Sequence, residues 1–180
     1  VFASTAAAAE KEWTFMVFLN GDNNLEGAGI KDINEMEKIG SDALVNIVVQ
    51  FDRHTRYNTT NGNWTGTKRF YIQKDSDFSK ITSPVIQDLG EVDMGSGIEV
   101  VKFVKWAKDN YPAKKYCLII WNHGSGWRES DPKHSSLLKG ISHDEQSGNE
   151  IKMPALREAI KMSSEILGKR IDILGFDACL

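Results

Sequence analysis

Two side chains able to do covalent chemistry stand just behind strand-like apolar runs. His123 follows Tyr116 to Trp121 (YCLIIW) after a single asparagine, and Cys179 follows Ile171 to Phe176 (IDILGF) after Asp177 and Ala178. A thiol nucleophile and an imidazole base are the parts of covalent acyl transfer. They lie 56 residues apart, room for one excursion and one helix, which is the chain a single parallel crossover consumes. Gly124 permits close backbone approach, and its amide, with that of Cys179, could form an oxyanion hole. Either signal is weak alone; their joint placement at successive strand ends gives them weight.

The remaining reactive types read more plainly. Cys117 lies inside YCLIIW and is expected in the core. His54, His134 and His143 sit in polar segments where a solvated ring is the default, and His123, His134 and His143 match no compact zinc spacing. Asp22 and Asp52 end the first two strands, where they satisfy turn amides or form an acidic rim attractive to basic substrates or calcium. No dense run of oxygen ligands marks a calcium loop, so no metal ligand is assigned. Trp127, beside the Gly124-Ser-Gly126 turn, belongs either at the mouth of a cleft or in packing.

Four apolar runs must position these groups: Trp13 to Leu19, Val45 to Phe51, Tyr116 to Trp121 and Ile171 to Phe176. Their near-continuous, β-branched character suits strands covered on both faces. Between them Leu25 to Ile39 repeats apolar residues at Ile30, Ile33, Met36 and Ile39, with Asn23 and Glu26 as a capping box and Gly40 as terminator. Ser96 and Glu99 open a second helix carrying Ile98, Val101, Val104 and Trp106. Pro154 and Gly168 bracket a third with Met153, Leu156, Ile160 and Leu167. The alternation predicts an α/β domain with right-handed crossovers and a mostly parallel sheet flanked by helices. Arg53 to Lys68 reads as a polar surface hairpin leading to a short strand at Arg69 to Gln73. Gly124 to Glu150 reads as a long loop with one strand-like stretch near Leu137 to Ser142.

The chain has 180 residues, 41% hydrophobic and 26% charged, enough apolar mass for a sizeable core. Twenty-two basic against 25 acidic side chains give a net charge of −3, which supplies no general attraction for nucleic acid or an anionic membrane. No apolar run approaches the roughly 20 residues of a membrane helix. Residues 1 to 9, small and apolar, are like the tail of a secretory signal, which predicts a secreted, periplasmic or cell-surface protein; a plain Ala-rich terminus is the alternative. Residues 1–12 are assigned to that residual terminus and 13–180 to one domain.

Trp121-Asn-His-Gly-Ser-Gly-Trp127, Phe176-Asp-Ala-Cys179, Asn20-Gly-Asp-Asn-Asn-Leu25 and Glu91-Val-Asp-Met94 together resemble the clostripain-like cysteine peptidases, family C11, of the caspase, gingipain and legumain clan. The resemblance runs from about Trp13 to the C-terminus. It implies a caspase-like fold and an endopeptidase cleaving after Arg or Lys through a His123–Cys179 dyad, with Gly124 as oxyanion donor and no obligatory third member. It implies Asp177 as the acid that receives the substrate's basic side chain. Chemistry agrees with that last role, because a carboxylate beside a thiol raises the thiol pKa and is a poor activator, whereas facing a guanidinium it forms a charge-assisted pair. No cofactor is assigned; calcium dependence is possible by resemblance only. The family continues beyond the cysteine, so a second chain or a C-terminal remainder is expected as partner. Self-cleavage is expected after Lys133, with Arg128 second, in the exposed loop between the dyad residues. The rival reading is a non-catalytic α/β module that binds peptide in the same crevice.

Overall fold

The computed structural model describes residues 9–124 and 140–178. Strand β1 (Lys11–Gly21) is the centre of a six-stranded sheet, joined in parallel to β2 (Val45–Arg53) on one side and β5 (Ala113–Trp121) on the other. Beyond β2 run antiparallel β3 (Gly66–Tyr71) and β4 (Val85–Gly90). Beyond β5 runs parallel β8 (Ile173–Asp177), for the order β4-β3-β2-β1-β5-β8. A separate hairpin, β6 (Gly140–Asp144) and β7 (Asn149–Lys152), follows β5.

The continuous hydrophobicity of the central strands follows from cover on both faces. Met16, Phe18, Val48, Leu118 and Ile120 pack against α2 (Gly97–Asn110) and α3 (Met153–Leu167). Val17, Leu19, Val49 and Phe51 pack with Ile30 and Ile33 of α1 (Glu26–Glu37) on the other face. Strand β8 has no such cover among the described residues: Ile173, Leu174 and Phe176 are exposed. The mostly parallel α/β sheet is the architecture the alternation predicts, with the four parallel strands close to the four apolar runs.

Several local expectations are corrected. Asn23 does not cap α1; its Oδ1 accepts from Leu25 N at 2.9 Å in a tight turn, and Glu26 is turned inward to a buried arginine. Ile39 lies beyond the helix and is 73% exposed, and Ile98 is 51% exposed because Val100, Val101, Phe103 and Val104 form the buried stripe of α2. Ser96 does cap α2, accepting from Ile98 N, and Gly168 closes α3 in the left-handed conformation at φ 72°. Arg53 is no surface residue but is wholly buried, and His54 is buried rather than solvated. Strand β4 has no counterpart in the sequence reading, and the Gly124 to Glu150 region contains a two-stranded hairpin rather than one strand-like stretch.

Candidate active site

Because β1, β2, β5 and β8 run parallel, their carboxyl ends share one edge of the sheet, where crevices for ligands form. His123 stands there, two residues past β5, with Nε2 2.6 Å from the side-chain Oδ1 of Asn24 in the turn between β1 and α1. A carbonyl oxygen can only accept, so it draws the ring proton to Nε2 and leaves Nδ1 as the free base. Asn122 locks the preceding position: its amide donates to Asn20 O at 2.6 Å and to His143 O at 3.1 Å, and its Oδ1 accepts from His143 N at 3.1 Å. Asn20 in turn donates to Ser142 Oγ and to His143 O. The buried asparagines thus tie the ends of β1 and β5 to the hairpin. Gly124 is bridged to Ile141. Gly21 allows the β1 end to close on β2, since a Cβ there would lie 2.6 Å from the Phe51 ring and 2.8 Å from Asp52 O.

Asp177 ends β8 as the register partner of Trp121 and is exposed. A cavity of about 370 Å³ beside it is lined by Asp32, Met36, Ile119 and Trp121. Trp121 Nε1 donates to Asp32 Oδ2 at 2.8 Å. Burial, together with the Asp177 charge, pushes the Asp32 carboxyl above the usual range despite that bond.

A second group of acids lies toward β2. One carboxylate oxygen from each of Asp22, Asp52, Glu91 and Asp144 comes within 4.8 Å of the others; the three aspartates are buried and Glu91 is exposed. Asp22 Oδ2 accepts from Gln146 N at 3.0 Å, Asp144 accepts from Met94 N at 2.9 Å and Ser147 N at 2.8 Å, and Glu91 Oε2 accepts from Gln146 Nε2 at 2.6 Å. Neither oxygen of Asp52 has a partner in good hydrogen-bond geometry, the nearby Thr67 hydroxyl easing its charge only in part, and Asp22 Oδ1 is also unbonded. Burial pushes Asp22 up to about 7, with Asp144 and Glu91 adding repulsion. Burial also holds Asp52 well above the usual carboxylate range, and Glu91 is raised by burial and by Asp144.

The structure therefore places His123, Gly124 and Asp177 at one sheet edge. Cys179, Trp127, Arg128 and Lys133 lie outside the described residues. Cys117 is buried in the core as expected. Sequence reasoning missed Asn24 as a partner of His123, although it lies in the Asn20 to Leu25 stretch already singled out. It also missed Glu91 and Asp144 as companions of Asp22 and Asp52.

Residues 17–180 match the profile of the clostripain family, Peptidase_C11. The chain belongs to the clostripain family. Clostripain of Hathewaya histolytica is 30% identical over 93% of this chain, which spans 34% of that protein. A secreted C11 cysteine protease from Bacteroides thetaiotaomicron, solved with an irreversible peptide inhibitor, superposes with TM-score 0.65 at 23% identity over 94% of this chain and 43% of its own. A second secreted C11 protease of that organism, "iotapain", gives TM-score 0.62 at 17% identity over 95% of this chain and 47% of its own. These likenesses establish a shared fold, so the clostripain-family chain has the α/β architecture of C11 proteases, and it spans under half the length of each of these three relatives.

Proposed function

We propose that the protein is a secreted cysteine endopeptidase cleaving after Arg or Lys through His123 and Cys179. Family membership supports the chemistry, and the observation that carries the residue assignment is His123, oriented by Asn24 at 2.6 Å at the same sheet edge as Asp177. Trp121 and Asp177 are register partners, and His123 and Cys179 each follow one of them by two residues. In this reading Nδ1 of His123 takes the proton of the Cys179 thiol, and the thiolate attacks the scissile carbonyl. The leaving amine takes the proton from the imidazolium, and water hydrolyses the acyl-enzyme. The Gly124 amide stabilises the oxyanion, Asp177 receives the basic side chain and Trp127 lines the mouth of the cleft. The neighbouring Asp32, already short of proton-free stability beside Asp177, would gain from a cation in the same cavity. Self-cleavage after Lys133 or Arg128 belongs to the same proposal. It would give a new terminus at His134 or Glu129 that is absent from an inactive variant.

The test uses the full-length protein and fluorogenic peptides with Arg, Lys or neutral residues before the scissile bond. Cys179→Ala abolishes turnover and the internal cut while leaving the melting temperature near that of the parent. Asp177→Asn erases the preference for basic residues, worth about 2–5 kcal/mol for a charged partner removed, while the thiol remains alkylatable. Unchanged turnover in Cys179→Ala would remove Cys179 as the nucleophile, and absence of turnover in the parent protein would leave the binding-module reading in its place.

A further inference from the structure

We propose that Asn23 and Asn122 are positioning residues for His123, acting together through the main-chain carbonyl of His143. Their effect on turnover rests on the peptidase reading, whereas their effect on the His123 ring does not. The starting point is a carbonyl with more donors than it needs. His143 O accepts from Asn20 Nδ2 at 3.1 Å, from Asn23 Nδ2 at 3.0 Å and from Asn122 Nδ2 at 3.1 Å. A carbonyl oxygen has two lone pairs, so two of these amides already satisfy it. What the third adds is geometry, because the amides come from three stretches of chain: the end of β1, the turn after it and the residue after β5. All three side chains are buried, where they hold one arrangement rather than exchanging with water.

Two of the arms flank His123. Asn122 is its neighbour in sequence, and Asn23 is the neighbour of Asn24, whose Oδ1 meets the ring at Nε2. Each arm is also fixed through its own oxygen. Asn23 Oδ1 accepts from Leu25 N at 2.9 Å, which closes the turn around Asn24, and Asn122 Oδ1 accepts from His143 N at 3.1 Å. Asn24 is exposed and His123 only half-buried, so close packing does not aim their side chains and the main chains beneath them must. Gripping one oxygen from both sides sets the distance between those main chains, and so the contact between ring and amide.

The shared oxygen is itself held still. Ser142 is the extra residue of a bulge in β6, since Ile141 pairs with Ile151 and His143 with Glu150. It takes φ 62°, a conformation that serine adopts when its surroundings impose it, and its Oγ donates to Met94 O at 2.8 Å and accepts from Asn20 Nδ2 at 3.1 Å. The bulge interrupts the ladder where the His143 peptide meets the ends of β1 and β5.

The experiment uses the full-length protein and reads kcat, KM, melting temperature and the ring nitrogens of isotope-labelled histidine, with His123 assigned through His123→Gln. Asn23→Ser keeps an oxygen that can accept from Leu25 N and leaves His143 O two donors, so the melting temperature should stay within about 2 °C of the parent. Even so, kcat should fall about fivefold with KM within about twofold. Asn122→Ser should lower kcat further and cost some stability, because Asn20 O and His143 N also lose their partner; if it fails to fold, Asn23→Ser decides alone. In an Asn24→Ala background, Asn23→Ser should bring no further loss of kcat, since the group it aims is gone. The ring signal reads the aim without turnover: the parent should show His123 protonated at Nε2, and Asn23→Ser a mixture of the two tautomers. An Asn23→Ser effect confined to KM, an undiminished loss in the Asn24→Ala background, or a ring signal that Asn23→Ser leaves unchanged would each overturn the proposal. A parent that cleaves no peptide would sink the proposed function instead, and the ring signal would then decide the positioning role by itself.

Discussion

Asp52 and Arg53 are adjacent at the end of β2, both 0% exposed, and they face opposite sides of the sheet into opposite electrostatic situations. Arg53 is fully engaged: Nε donates to Glu26 Oε1 at 2.6 Å, the other nitrogens donate to Asn58 O and Thr60 O, and the guanidinium lies over the Trp64 ring. Glu26 completes the set by accepting from Asn58 N at 2.9 Å. Asp52, one residue away, has three acidic neighbours, and only the Thr67 hydroxyl eases its burial. Burial of charge therefore has two meanings here. Where every donor is met, the charge is an internal fastener of the long β2–β3 connection. Where oxygens converge unmet, folding has left a cost that the rest of the structure must carry.

The largest effect should come from breaking the satisfied side. Glu26→Gln leaves the Arg53 charge buried without its counter-ion and should cost about 3–5 kcal/mol in denaturant unfolding. Adding Arg53→Met should recover much of that loss, because a pair replaced by apolar groups is often neutral. A loss below about 1 kcal/mol for Glu26→Gln would show that water reaches the pair, and the contrast with Asp52 would fail.

The same contrast explains what was legible in the sequence. The four parallel strands and three helices follow from apolar period and length, because two-sided burial writes itself into runs such as VNIVVQF. Strand β4, with exposed Val85, Ile86, Gln87 and Asp88 at the sheet edge, leaves no such mark. Arg53 and His54 read as surface because charge usually means solvent, and only tertiary partners reverse that rule. His123, Gly124 and Asp177 were findable because each follows directly on a strand. The acidic cluster was not: calcium was sought as a continuous ligand loop, whereas these four acids come from segments up to 122 residues apart and meet only through the topology. Asn24 was hidden in another way, since a surface asparagine in a turn has an adequate local explanation.

A smaller effect should come from the turn after β1 that carries Asp22 toward the acids and Asn24 toward His123. Asn24→Ala removes the acceptor that fixes the tautomer and aim of His123, and should lower kcat about tenfold with KM within about twofold. Asn24→Asp should restore most of kcat, since a carboxylate accepts the same proton. If Asn24→Ala changed only KM, the contact would position substrate rather than the base.

The smallest effect, and the sharpest test of the comparison, is the sign of Asp52→Asn. Removing a satisfied buried group destabilises, as for Glu26; removing an unsatisfied buried charge should not. An amide has nearly the shape of the carboxylate, brings no charge, and can donate to the neighbouring oxygens of Asp22, Glu91 or Asp144, which lie close enough to receive it. The variant should therefore gain about 1 kcal/mol, which for a chain of this size is roughly 2–4 °C in melting temperature. Differential scanning calorimetry measures the order. A variant less stable than the parent would mean that Asp52 is already well partnered, and its likeness to Arg53 would then outweigh the contrast.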